Sequence, residues 1–240
     1  MAKRGKLNKI KSVATIERPV RSRKYTYYIL IVCEDERTEP DYFEKYQQLF
    51  FKILPRETIY IRPVGTGRNS LGVVECAKIQ REKLRLESGM DVDQTWAVFD
   101  KDDLDQTAGN RKNFEDAFAV GEESNINIAY SNECFELWFL LHFDDVNMSE
   151  PISREDIYRR LEIAIRHNVD SKFAYVHGDS SIVDIIWEKG NKLNAILRSQ
   201  ELDQYHQRHN TAPIDSNPNT QVYKLVKELD EWYKYYSYEE

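Results

Sequence analysis

Two acidic clusters in the sequence each follow a short apolar run. Glu34 comes directly after Tyr27–Cys33, and Asp100 and Asp102 come after Trp96–Phe99. Continuous runs of β-branched and aromatic residues are typical of buried parallel strands. In an open α/β sheet the carboxyl ends of the strands form the ligand crevice, so we expect these carboxylates to lie together. Carboxylate oxygens are ligands that Mg²⁺ prefers, and the pattern therefore predicts a metal site suited to chemistry on phosphate.

The spacing of the three carboxylates suggests a division of roles. Asp100 and Asp102, two residues apart beyond a strand end, can converge on one ion. Glu34 could bind a second ion or take a proton from water. The alternative is that acidic residues after strands are merely solvated turns, and for either cluster alone that interpretation stays open.

Four further residues are candidates for the site, and each has a structural alternative. Glu39 could add a ligand or stabilise the start of a helix. Glu136 lies in an apolar segment, where an unpaired carboxylate is costly, so it is either a metal ligand or half of a buried ion pair. Asn132 is expected to cap the following helix or to point into the crevice. His142 is expected to be a packing histidine, with catalysis as the alternative.

Cationic candidates for nucleic-acid contacts are Arg68, Lys101 and Arg62. Arg68 lies in the segment Gly65-Thr66-Gly67-Arg68-Asn69, which precedes a predicted helix, so that backbone N–H groups and the guanidinium could meet a phosphate. The alternative is an ordinary strand-to-helix turn. The segment lacks the Gly-Lys-Ser/Thr of a Walker A motif, which argues against ATP binding.

Strand and helix patterns alternate through the first part of the chain. Thr38 and Ser70 are predicted to cap the first two helices. Strands are predicted over 25–33, 58–64, 95–99 and 126–130, and helices from 38, over 70–87, near 111–120 and over 134–141. This alternation predicts an α/β fold with a mostly parallel sheet and right-handed crossovers.

The pattern changes after residue 144. Helices are predicted over 153–167, 180–199 and 219–237, with a surface loop over 202–219 and no strand beyond Glu150. The predicted organisation is therefore a basic arm over 1–24, an α/β core over 25–143, and a helical extension over 144–240 that packs on the core.

Charge is unevenly distributed along the chain. Residues 1–24 contain nine Lys and Arg and one Glu, a net charge of +8, so a chain of net charge −7 has −15 in the remainder. A basic arm before an acidic body often marks a nucleic-acid contact, and the alternative is a solvated terminus. The overall acidity argues against a non-specific DNA coat, but not against a nuclease, because metal sites need carboxylates.

Cysteine usage and hydropathy favour a cytoplasmic protein. Cys33, Cys76 and Cys134 are odd in number and widely spaced, which suits a reducing compartment. No apolar stretch approaches the roughly 18 residues of a membrane span. The start lacks the order of a secretory signal.

Three segments together resemble the RloB-like family. They are Cys33-Glu34-Asp35-Glu36-Arg37-Thr38-Glu39-Pro40-Asp41-Tyr42-Phe43, Val98-Phe99-Asp100-Lys101-Asp102-Asp103 and Ser131-Asn132-Glu133-Cys134-Phe135-Glu136-Leu137-Trp138-Phe139-Leu140-Leu141-His142-Phe143. The third segment is the most specific, and Asn217-Pro218-Asn219-Thr220 also fits. The resemblance spans about residues 25–235.

The resemblance implies a Toprim-like fold and Mg²⁺-dependent chemistry on nucleic-acid backbones. Glu34 matches the glutamate after the first strand of such proteins, and Asp100 and Asp102 match their Asp-x-Asp. The family is associated with bacterial restriction and phage defence, often beside an ATPase partner, and a related Toprim effector cuts tRNA. One position departs from the pattern, because Asp35 stands where the family usually has glycine.

These observations lead to two main hypotheses. The first is a metal-dependent endonuclease effector of anti-phage defence that uses Mg²⁺ or Mn²⁺ and acts on RNA, with tRNA as one candidate, in preference to DNA. The second is a non-catalytic interaction subunit that docks on a partner ATPase. A nucleotidyl-transferring Toprim protein is a third, for which nothing suggests the extra domains. A homodimer is compatible with each.

Overall fold

The computed structural model describes residues 27–53, 59–89, 91–101 and 108–237. The predicted basic arm over 1–24 and the candidate ligand Asp102 lie outside the described residues.

A five-stranded sheet forms the centre of the protein. Its strands are β1 (Tyr27–Cys33), β2 (Ile59–Gly65), β3 (Gln94–Asp100), β4 (Asn127–Asn132) and β5 (Asn219–Thr220). Their spatial order is β2-β1-β3-β4-β5. The first four strands run parallel, and β5 is antiparallel to β4. The fold class is therefore the predicted α/β architecture with a mostly parallel sheet.

Helices cover both faces of the sheet. They are α1 (Thr38–Ile53), α2 (Ser70–Ser88), α3 (Ala108–Glu123), α4 (Glu136–Leu140), α5 (Arg154–Asn168), α6 (Ser181–Lys189), α7 (Lys192–Arg208) and α8 (Val222–Ser237). Helices α2 and α3 pack on one face, while α1, α4 and the helices after residue 153 form the core on the other. Within the described residues, no helix has the length and apolarity needed to cross a membrane.

Strand β1 lies inside the sheet, between β2 and β3, and its sequence is apolar without interruption. Ile29, Ile31 and Cys33 contribute to the core beneath α1 and α4, whereas Leu30 and Val32 contribute to the core beneath α2 and α3. All five are fully buried. A strand that is covered on both faces needs apolar residues at every position, which is why it reads as a continuous run.

In the second part of the chain, after residue 144, the observed helices differ from the predicted ones. The helix predicted over 180–199 is two helices that are divided at Gly190. A Cβ there would lie 2.5 Å from the carbonyl oxygen of Ile186 and 2.8 Å from Cδ2 of His142, so the chain can pass this point only as glycine. Asn191 then starts α7, because its Oδ1 accepts a hydrogen bond from the N–H of Asn194 at 3.0 Å.

Two other predictions for this part are wrong. Helix α7 continues to Arg208, so the loop predicted from 202 begins later. We expected no strand beyond Glu150, but the two residues of β5 form one. The hydroxyl of Thr220 in β5 shares a hydrogen bond of 3.0 Å with the hydroxyl of Ser131 in β4. A strand this short and polar has no periodicity from which a sequence could predict it.

Candidate active site

The turn after β1 is held by the neighbouring strands. The N–H of Glu34 donates to the carbonyl of Val98 at 2.9 Å, and the N–H of Gly67 donates to the carbonyl of Glu34 at 2.8 Å. A Cβ on Gly65 would lie 2.6 Å from the carbonyl oxygen of Asp35. Glycine at the end of β2 therefore allows the acidic turn to pass directly over it.

Asp35 fixes the start of α1. Its Oδ2 accepts a hydrogen bond from the N–H of Thr38 at 3.0 Å, and its Oδ1 accepts one from the N–H of Glu36 at 2.6 Å. The predicted cap, Thr38, has a buried hydroxyl without a hydrogen-bond partner in the described part of the chain. The aspartate at the family's usual glycine position thus does the capping that the sequence assigned to Thr38.

Asp100 and Glu34 are linked directly at the carboxyl edge of the sheet. The N–H of Asp100 donates to Oε2 of Glu34 at 3.0 Å. Oδ2 of Asp100 accepts a hydrogen bond from the N–H of Phe135 at 3.0 Å. Its Oδ1 is buried and has no hydrogen-bond partner among the residues described. A buried carboxylate oxygen without a donor is costly unless something else satisfies it.

One cavity of about 140 Å³ collects the acidic side chains. It is lined by Glu34, Asp35, Thr38, Glu39, Asp100, Phe135, Glu136, Arg154 and His177. Asp35 is engaged in its turn, and Oε2 of Glu39 accepts a hydrogen bond from the N–H of Asp35 at 3.2 Å. Glu39 is 1% exposed and Glu136 is 4% exposed. Glu136 therefore faces the cavity, where Arg154 and His177 are the cationic side chains among those that line it.

Glu136 is bound by the loop between α5 and α6. The hydroxyl of Tyr175 donates to its Oε1. Nδ1 of His177 lies 3.5 Å from the same oxygen, and this contact raises the pKa of His177 above its usual value. Glu136 is therefore a cavity-facing carboxylate held by a tyrosine and a histidine, and its two interpretations, metal ligand and half of a buried ion pair, both stay predictions.

The electrostatics of the cavity follow from burial and crowding. Burial raises the pKa of Asp100 well above its usual value, and the charges of Glu39, Glu34 and Glu136 raise it further. Burial and the charge of Glu34 do the same to the pKa of Glu39. Burial raises the pKa of Glu34 to about 7, against the hydrogen bond from Asp100 and the charge of Arg154, which lower it. Carboxylates so close together hold their full negative charge only when a positive charge joins them.

The cavity fits a hard divalent cation, because the side-chain donors in it are carboxylate oxygens. One of these oxygens, Oδ1 of Asp100, accepts no hydrogen bond from the described residues that a cation would have to replace. As the side chains stand, no three or more His, Cys, Asp or Glu among the described residues form a group that could hold a metal ion. Asp102, the second member of the Asp-x-Asp, is outside that set.

The three cationic candidates lie in different surroundings. Arg68 lines a groove of about 420 Å³ that adjoins the cavity and shares Glu34 with it. Lys101 is buried, and its Nζ lies 3.2 Å from Oε1 of Glu133. Arg62 lies in the middle of the edge strand β2, opposite Leu30. The groove beside the cavity therefore includes one of the three, Arg68.

The helix after that groove begins with a different residue from the one predicted. Oδ1 of Asn69 accepts a hydrogen bond from the N–H of Gly72 at 2.9 Å, so Asn69 rather than Ser70 caps α2. Ser70 is buried, with its hydroxyl 3.4 Å from the carbonyl oxygen of Asp100.

Asn132 and His142 have structural surroundings. Nδ2 of Asn132 donates to the carbonyls of Pro213 and Ile214 at 3.2 and 3.1 Å, so this side chain neither caps α4 nor lines the carboxylate cavity. Nδ1 of His142 lies 2.9 Å from the carbonyl oxygen of Trp138, and burial lowers the pKa of His142 to about 4.

Sequence reasoning missed two residues that line the cavity, Arg154 and His177, and one that binds its Glu136, Tyr175. Arg154 starts α5, and Tyr175 and His177 lie in the polar loop that follows it. Their separation from Glu34 and Asp100 along the chain leaves no spacing motif that links them. An aromatic residue and a histidine inside a polar loop were the one available signal.

A family model described as RloB-like protein matches residues 29–229 of the chain. No protein of curated function and no solved structure matches it.

Proposed function

The chain belongs to the RloB-like family, and from that premise we propose that it is a metal-dependent endonuclease. In this proposal it is an effector of bacterial anti-phage defence with a Toprim-like site, and it hydrolyses phosphodiester bonds. RNA, including tRNA, is the preferred substrate over DNA, by analogy with a related Toprim effector.

The observation that carries the proposal is the crowding of carboxylates at the carboxyl edge of the sheet. Glu34, Glu39, Asp100 and Glu136 line one cavity, and Oδ1 of Asp100 accepts no hydrogen bond from the described residues. Such a cluster raises the free energy of the folded protein unless protons or a cation neutralise it. Groups that a protein keeps at this cost are candidates for function.

Mg²⁺ or Mn²⁺ would be held by Asp100 and Asp102, with Glu34, Glu39 and Glu136 as the other carboxylates available. When bound, the ion would stabilise the charge that develops on the phosphate oxygens and lower the pKa of water. Glu34 is suited to move a proton, because its pKa of about 7 lies near the pH of the cell. Its hydrogen bond from the N–H of Asp100 holds the carboxylate in place while it accepts the proton of the attacking water.

The cationic groups near the cavity would position the substrate. Arg154 lines the cavity from the start of α5 and can contact the non-bridging oxygens of the scissile phosphate. Arg68 and Arg37 line the adjoining groove and can contact a neighbouring phosphate. The basic segment 1–24 would add phosphate contacts that weaken with salt.

The second candidate function is a non-catalytic subunit that docks on a partner ATPase. The observation that favours it is Asp35, which stands where the resemblance places glycine and whose carboxylate is engaged in the turn before α1. In that case the carboxylates of the cavity would remain partly protonated and would bind no divalent cation.

Incubation of the purified protein with total RNA and with plasmid DNA tests the first proposal. We expect cleavage in Mn²⁺ or Mg²⁺, none with a chelator, and none by Asp100→Asn. Glu122→Gln, which changes an exposed carboxylate on α3, is the matched control and should cut normally. A thermal-shift titration separates the two candidates, because a cation that binds only the folded state raises the melting temperature. No shift and no cleavage would support the docking subunit instead.

A further inference from the structure

Three aromatic rings form a stack beside the carboxylate cavity. The ring centroids of Tyr158 and Tyr175 are 4.7 Å apart. The ring of His177 stacks on Tyr158 with centroids 5.7 Å apart and an interplanar angle of 29°. His177 also lines the cavity. All three rings lie after residue 153, and the rings at the two ends of the stack, Tyr175 and His177, both contact Glu136.

Hydrogen bonds hold the stack in position. The hydroxyl of Tyr175 donates to Glu136, and its N–H donates to Oε2 of Glu162 at 2.9 Å. The hydroxyl of Tyr158 lies 3.3 Å from Nδ1 of His177. The last ring of the stack is thus fixed relative to Glu136, one of the carboxylates of the cavity.

The end of the stack is open. The side chain of His177 is 63% exposed, although one face of its ring is covered by Tyr158. The other face is available to a flat ligand. The next residue, Gly178, lines the groove that contains Arg68 and Arg37, so His177 lies between the cavity and the two arginines.

We infer that the exposed face of His177 is the stacking surface for the nucleobase next to the scissile phosphate, and that the substrate is single-stranded or unpaired at that nucleotide. The inference rests on the proposed nuclease function and adds the class of substrate. A base in a duplex is already stacked on both sides, whereas an unpaired base can leave the strand and stack on a protein ring. A base on His177 would have its own phosphate near the carboxylates and a neighbouring phosphate near Arg68.

Fluorescence of 2-aminopurine tests this inference, because stacking quenches it. The probe is a single-stranded oligonucleotide with one 2-aminopurine, in RNA and DNA forms, bound to the full chain carrying Asp100→Asn so that it is not cut. We expect protein binding to quench the fluorescence strongly when 2-aminopurine is at one position of the single strand. When the same oligonucleotide is annealed into a duplex, the change in fluorescence on binding should be several-fold smaller.

Variants at His177 identify the ring. In the same background, His177→Ala should abolish the quenching and weaken binding by roughly 10-fold, the order of effect expected when a stacked aromatic residue is removed. His177→Phe keeps an aromatic face and should retain most of both. His167→Ala removes an exposed histidine from the end of α5 and is the matched control, for which neither quantity should change.

The outcomes separate this inference from the nuclease proposal. Quenching that depends on His177, without cleavage by the unaltered protein, would overturn the nuclease and leave the base site. Cleavage without such quenching, or equal binding by His177→Ala and its parent, would overturn the base site alone. Absence of all binding to either form of the oligonucleotide would overturn both.

Discussion

Two aspartates with buried carboxyl oxygens have opposite surroundings in this protein. Asp203 on α7 is 2% exposed and accepts hydrogen bonds from the hydroxyl of Tyr223 at 2.8 Å and from Nε2 of Gln221 at 2.9 Å. Nε2 of Gln207 donates at 3.0 Å, and Nζ of Lys224 lies 3.2 Å away. Burial alone would raise the pKa of Asp203, but these donors and the lysine overcome it and the pKa is lowered.

Asp100 has one backbone donor and an unpartnered oxygen among the described residues, and three glutamates surround it. Its pKa is raised by burial and by their charges. A carboxylate supplied with donors stabilises the fold around it, whereas one surrounded by other carboxylates needs a ligand of positive charge.

The largest effect should come from Asp100→Asn. Cleavage is expected to fall by at least about 100-fold, because a catalytic metal supplies several kcal/mol of charge stabilisation and about 1.4 kcal/mol corresponds to tenfold in rate. The metal-free variant should unfold at an equal or higher temperature than the parent, since it removes repulsion. Single-turnover cleavage assays and thermal unfolding measure the two effects. A variant that cuts at the parent rate would exclude Asp100 from the chemistry.

Asp203→Ala should do the opposite. The free energy of unfolding should fall by about 3 kcal/mol, because the change leaves buried donors without an acceptor. The stabilisation of the folded protein by Mg²⁺ should persist. Urea denaturation with and without Mg²⁺ measures both quantities. If Asp203→Ala kept its free energy of unfolding but was no longer stabilised by Mg²⁺, the roles assigned to Asp203 and Asp100 would be reversed.

The metal-free protein should lose stability as the pH rises from about 4.5 to 7. Glu34 has an ordinary pKa of 4.5 and a pKa of about 7 in the folded chain, so folding favours its protonated form. The contribution of Glu34 to the free energy of unfolding is complete below pH 4.5 and is lost as the pH passes 7. The loss is at most about 1.4 kcal/mol for each unit by which the two pKa values differ. Urea denaturation at a series of pH values measures it.

Glu34→Gln supplies the control for the pH dependence, because it removes the titrating group. Its stability curve should be flatter over the same pH interval. Added Mn²⁺ should restore stability to the unaltered protein above pH 7. A parent protein whose stability rises between pH 5 and 7 would contradict the assigned direction for the cavity as a whole.

The smallest effect is expected from the loop that holds Glu136. Glu136→Gln should weaken Mn²⁺ binding by about 10-fold while the fold survives, and Tyr175→Phe should weaken it less, because it removes a hydrogen bond to Glu136 rather than the carboxylate. Isothermal titration calorimetry with Mn²⁺ measures both. If Glu136→Gln kept its affinity for Mn²⁺ and had a lower melting temperature, Glu136 would stabilise the fold, as Asp203 does, rather than bind the metal.

Local sequence was sufficient for the strands and helices before residue 144 and for the family. The apolar runs of β1 and β3 are buried on both faces, and a strand of that kind is encoded by its own residues. The motifs around Glu34, Asp100 and Glu136 led to the RloB-like family, which the family match confirms. Glu34 and Asp100 lie at one edge because parallel neighbouring strands end there, a consequence of topology that alternation of strands and helices already implies.

Features without a periodic signal in the sequence became visible only in the folded protein. The cap of α1 by Asp35, the break at Gly190 and the polar strand β5 are set by close contacts that leave no periodic signal. Arg154 and His177 line the cavity, and Tyr175 binds Glu136, because α5 and the loop after it pack beside α4. The apolar runs before Glu34 and Asp100 predicted that these two carboxylates lie at one edge of the sheet. The donors and cations that meet them come from separate elements, and no spacing along the chain records those contacts.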